Sequence, residues 1–178
     1  VNDYFDLPAL VELFPNLKQT FNFAPSLMIQ IDDYISGNTK DRVMILTEKK
    51  ASLLSDSEKE EIIRQFFVIN YDNLIKPYER YLELFRKAEA NNYNIDSFDD
   101  NDWLDLQVWY NLAWIGEISK ENAFVKSLIT KNRRFEEEDK ERLINHHLEI
   151  LRKISEQMKK LEENGQVEIS CSPEHHPI

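Results

Sequence analysis

The chain has 178 residues, 42% hydrophobic and 11% aromatic, which is enough apolar surface for one domain with a sizeable core and too much for a disordered segment. A formal charge of −11 with no cluster of Lys and Arg argues against nucleic acid as a partner and leaves neutral polyols such as sugars compatible. No apolar run approaches the roughly 20 residues that cross a bilayer, and the single cysteine, Cys171, allows no disulfide within the chain, so a cytoplasmic protein without a membrane partner is expected. With three Gly and six Pro, most of the chain should lie in long regular elements. It begins without Met and stops just after a strand-like segment; both ends look cut, and a fragment of something larger is expected.

In chain order, residues 8–14 predict a short helix, with Leu7, Leu10, Val11 and Phe14 at helical spacing and Pro15 as its stop. Leu17, Phe21 and Phe23 then alternate with Lys18, Thr20 and Asn22, which predicts a strand over 17–23 buried on one face and ended by Ala24-Pro25. From Ser26 onward, Leu27, Met28, Ile31, Tyr34 and Ile35 trace a helical stripe that closes at Gly37. Asn22 falls near the carboxyl end of the strand, where α/β folds place ligand contacts, although Asn there is also an ordinary turn former.

Helices should dominate the next hundred or so residues. A short one is expected over 41–46, and Ser55-Asp-Ser-Glu58 has capping-box spacing ahead of Ile62, Ile63, Phe66, Phe67 and Ile69. Another runs through Leu74, Tyr78, Tyr81, Leu82 and Phe85, with Pro77 in its first turn or kinking it. Residues 91–100 have turn composition and predict a mobile surface loop. Asp102 opens a helix carrying Trp103, Leu106, Trp109, Tyr110, Ala113 and Trp114; such aromatics can stack on sugar rings but more often fill a helical core. Phe124, Leu128 and Ile129 mark a short helix. Residues 136–164 form the longest, with an acidic first turn from Glu136 to Asp139 that reads as a solvated helix start favoured by the helix dipole.

The last fourteen residues switch to period-two alternation. Over 166–170, Val167 and Ile169 point to one side of a strand while Gln166, Glu168 and Ser170 point to the other, so the pleat aims one carboxylate away from the apolar face. Followed by Ser-Pro-Glu-His-His-Pro, Glu168 reads as the rim of a site; the plainer alternative is a solvated Glu on an edge strand. His146 and His147 are adjacent on a helix and diverge by about 100° around its axis, so they do not share an ion. His175 and His176 have Glu174 nearby but no further His or Cys cluster to complete a ligand set, and no metal is expected. No phosphate-cradling Gly loop, dinucleotide fingerprint or nucleophile elbow is present, which gives cofactor chemistry no support.

Four separated blocks carry a family resemblance: residues 20–34 (Thr-Phe-Asn-Phe-Ala-Pro-Ser-Leu and onward), 105–114 (Asp-Leu-Gln-Val-Trp-Tyr-Asn-Leu-Ala-Trp), 131–140, and Gly165-Gln-Val-Glu-Ile-Ser170 through His176-Pro-Ile178. Nearly end to end, the chain resembles glycoside hydrolase family 57. The resemblance implies an α/β fold, a distorted seven-stranded TIM-like barrel acting with retention on α-1,4-glucans, as in α-amylases, amylopullulanases and 4-α-glucanotransferases. This chain would be an early part of that barrel, predominantly helical with two short parallel strands: a strand-turn-helix unit over 1–37, a helical insertion over 38–164, and a strand with a site-rim loop over 165–178.

The resemblance also implies substrate-binding roles. Glu168 matches the Glu of the family's Gly-Gln-x-Glu block, which lies in the sugar cleft, and His176 matches the His of its His-Pro-Ile stretch; Asn22 is a third candidate contact. No catalytic residue is implied, because the family's His-Gln-Pro strand would lie before Val1 and its nucleophile Glu and acid/base Asp beyond Ile178. Glu174 stands where the family's pattern has a Tyr. The expected partners are an α-glucan or maltooligosaccharide and the rest of the catalytic barrel, with self-association through bare strand edges. The competing hypothesis is a non-catalytic helical interaction module on the same scaffold.

Overall fold

In the computed structural model, which describes residues 2–173, helix α1 (Asn2–Leu13) precedes strand β1 (Gln19–Phe23) and helix α2 (Pro25–Ser36). The α1 helix begins well before the expected residue 8 and carries Pro8 inside it. Burial of Ala9 and Val11 and the packing of Phe5 hold this helix although Pro8 contributes no N–H. β1 starts two residues later than expected because the Leu17 amide closes a turn onto the Phe14 carbonyl. Pro25 sits at the first helical position of α2, and Gly37 closes it at φ 71°, a left-handed conformation that favours glycine.

Helix α3 (Arg42–Glu48) is capped by Asp41, and α4 (Asp56–Gln65) opens with the expected capping box between Ser55 and Glu58. The helix expected through Leu74 to Phe85, with Pro77 in its first turn or kinking it, is broken at Pro77. Tyr71–Ile75 form one wide turn, Pro77 lies in the break, and α5 (Glu79–Ala90) starts afresh, because Pro77 offers no amide to continue the ladder. After a connection in which Asn92 and Tyr93 take positive φ, α6 (Asp100–Ala113) begins two residues before Asp102. Asp99 is its cap, and Asp102 reaches back to the Asp99 amide. Helices α7 (Glu117–Lys120), α8 (Ala123–Lys131) and α9 (Glu137–Glu163) follow, then strand β2 (Val167–Cys171), one residue later than expected.

The chain forms two compact units. One comprises residues up to 40, 116–119 and from 146 on; the other comprises 41–115 and 120–145. In the first, β1 and β2 pair in parallel and bury Phe23 and Val167 with Val11, Ile31, Ile154 and Leu161. Gly116 belongs here because a Cβ at this position would collide with the Asp6 carboxylate, which accepts the Ile118 amide at 3.0 Å. The second unit is helical, with Leu46, Ile62, Phe66, Tyr81, Trp103 and Trp109 among its buried core. The structure is thus predominantly helical with two short parallel strands, as the sequence predicts.

Candidate functional site

Parallel pairing sets Thr20 opposite Glu168 and Asn22 opposite Ser170. Because side chains alternate along a strand, these residues share one face while Phe23 and Val167 turn to the core on the other. Glu168 is exposed, and its Oε2 accepts the Thr20 hydroxyl at 3.3 Å. Lys18, Gln19, Thr20, Gln166 and Glu168 line a groove of about 220 Å³ at the start of the two strands. It offers an ammonium, a hydroxyl, amides and a carboxylate, a mixture of donors and acceptors suited to a neutral polyol.

Asn22 lies on the same face, nearer the carboxyl end, where its amide engages the Ser172 hydroxyl at 2.7 Å. The structure therefore brings Glu168 and Asn22 to one surface, about 7 Å apart along the strand direction at the usual rise per residue. Gln166 departs from the expected alternation: its side-chain amide turns toward α1 and donates to the Val11 carbonyl at 3.0 Å. His176, with Glu174, His175 and the Pro-Ile end, lies outside the described residues. Thr20 and Lys18 were not singled out from sequence as site residues. Both fall on the polar phase of the alternation, but which residue faces Glu168 depends on a strand register spanning 148 positions.

The aromatic helix is a core element. Trp103 and Trp109 are each 1% exposed, and the Trp109 indole N–H donates to the Asn132 carbonyl at 2.7 Å; at 44% exposed, Trp114 differs from them. Two of the resemblance blocks lock together here. Asp105 accepts the Phe135 amide at 3.1 Å, and Gln107 donates to the Leu46 and Lys49 carbonyls while its oxygen receives Lys140 Nζ at 2.9 Å. Asn111 donates to Thr47 Oγ1 at 3.2 Å. The acidic start of α9 is likewise more than solvated: Glu137 accepts the Ala51 amide and pairs with the buried Lys140.

Beside these, Arg80 is 7% exposed and bridges Asp102 at 2.7 Å, Asp105 at 2.8 Å and Glu83 at 2.7 Å. Burial pushes the Asp102 carboxyl up, but hydrogen bonds from Lys87, the Asp99 amide and Arg80 outweigh it and hold the group below its usual range. Burial pushes the Lys140 ammonium down, and Glu137 only partly offsets this. Among the described residues, no three His, Cys, Asp or Glu side chains gather as a metal site requires, and no helix is long and apolar enough to cross a membrane.

The model of glycosyl hydrolase family 57 matches residues 1–178, the whole chain. The chain belongs to glycosyl hydrolase family 57. No curated protein and no solved structure gives a significant match. Membership of family 57 suggests glycoside hydrolase or transglycosylase activity and a carbohydrate substrate.

Proposed function

We propose that this chain is the substrate-binding part of a retaining hydrolase or transglycosylase of α-1,4-glucans, with Glu168 contacting the sugar and the reacting carboxylates housed elsewhere in a longer polypeptide. The observation that carries this is Glu168 itself, an exposed strand carboxylate at a polar groove in a chain matched end to end by family 57. A retaining glycosidase needs two carboxylates about 5 Å apart. Glu168 is the acidic residue among those lining the groove, which favours binding over bond cleavage. Asn22 and His176 extend the contact surface in this reading. Further strands of a TIM-like barrel, or a second copy, would cover the outer edges of β1 and β2, which among the described residues pair only with each other.

Calorimetric titration with maltoheptaose tests this. Glu168→Gln should weaken binding by about tenfold, the scale of a lost hydrogen bond to a charged group. The chain alone should release no reducing sugar; turnover that Glu168→Gln abolishes would overturn the assignment of the chemistry to other residues. A non-catalytic helical module is the second reading. It is favoured by the tying of Asp105, Gln107, Trp109 and Asn111 into the scaffold, away from solvent chemistry.

A further inference from the structure

We propose that Thr20 is a positioning residue that presets the Glu168 carboxylate for a sugar hydroxyl, an inference that rests on Glu168 being the glucan contact. Glu168 is a long, exposed side chain on an outward strand face, and ordering it on binding costs conformational entropy that subtracts from affinity. Thr20, its register partner, donates its hydroxyl to Oε2 at 3.3 Å, so one carboxylate oxygen is engaged before a ligand arrives and Oε1 is left to accept from the sugar.

The donor is itself well fixed. A β-branched side chain has few χ1 states, so the hydroxyl position follows the backbone of β1. That backbone is anchored on its other face by Phe23, 8% exposed, and Glu168 follows directly on Val167, 6% exposed. Both partners therefore project from strands held by the same apolar core, the arrangement in which a binding group keeps its geometry. Lys18, one repeat earlier on the polar phase of this segment, lines the same groove and supplies a donor for a neighbouring sugar oxygen.

A double-mutant cycle on maltoheptaose binding tests the proposal. Thr20→Val keeps the branched shape at an exposed strand position and removes the donor, whereas Thr20→Ser keeps the donor. Thr20→Val should weaken binding about three- to tenfold in the parent and less than twofold in the Glu168→Gln background, and Thr20→Ser should bind within about twofold of the parent. Without ligand, the 13C resonance of the Glu168 carboxyl should move in Thr20→Val and stay in place in Thr20→Ser. Equal losses from Thr20→Val in both backgrounds, parent-like affinity in Thr20→Val, or an unmoved carboxyl resonance would overturn the positioning role. If Glu168→Gln binds as the parent does, or the chain does not bind maltoheptaose, the glucan contact fails and the proposal with it. The carboxyl resonance then still reports whether Thr20 holds Glu168.

Discussion

Arg80 shows what a single side chain holds in this protein. Its guanidinium satisfies two nearly buried carboxylates, Asp102 and Asp105, the latter also fixing the Phe135 amide. Removing one partner of such a cluster strands the others in a poorly solvated place, so Arg80→Leu should cost about 3–5 kcal/mol, read as a lowered urea midpoint at unchanged slope. None of this was legible in the sequence, where Arg80 stands among the charged residues of a helix pattern and Asp105 is only a letter in a family block. A buried charge is recognised by its partner, and the partner here is 22 to 25 positions away. Glu168 was more legible, because alternation over five residues already fixes which way a strand side chain points. What alternation leaves open is the neighbour on the adjacent strand, and that is why Thr20 escaped notice.

Among the elements, the start of α4 was legible in sequence because it is a local device. The Ser55 hydroxyl accepts the Glu58 amide, and Glu58 returns to the Ser55 amide at 2.8 Å. Lys49 and then the Ser55 amide lower the Glu58 carboxyl to about 2. A folded-state pKa below the unfolded value means that the unfolded chain takes up the proton first as the medium is acidified. The stabilisation is therefore complete above about pH 4.5 and is lost as pH falls toward about 2. Glu58→Gln should show a lower urea midpoint at pH 7 and a flatter decline across that window, measured by urea melts at a series of pH values. Elements whose limits depend on distant packing were read less well. Pro8 suits a helix start, yet α1 extends six residues before it because Phe5 and Val11 find a core. Pro77, expected in a helix's first turn or as a kink, instead separates two segments whose apolar spacing runs through the break.

At the scale of the whole molecule, two cores lie in one chain, and all three Trp belong to the unit made of 41–115 and 120–145. Indole fluorescence therefore reports that unit, while far-UV dichroism reports helices of both. Leu161→Ala, in the other core and fully buried, should cost about 2–5 kcal/mol there. It should lower the dichroism midpoint and leave the fluorescence midpoint in place; coincident shifts would show one cooperative fold. The sequence reading sets a helical insertion over 38–164 apart from the two strand segments; the short stretch 116–119, which joins the strand-bearing unit through Asp6 more than a hundred positions away, carries no local signal of that placement. The comb of polar side chains at Asp105, Gln107, Trp109 and Asn111 has a last consequence. Each tooth fastens main-chain or side-chain groups of other segments, so the demand for a folded chain is enough to preserve this spelling. A descendant that had given up breaking sugars altogether would still be obliged to carry it. Such letters are accounted for by folding alone, and their presence says nothing for or against turnover.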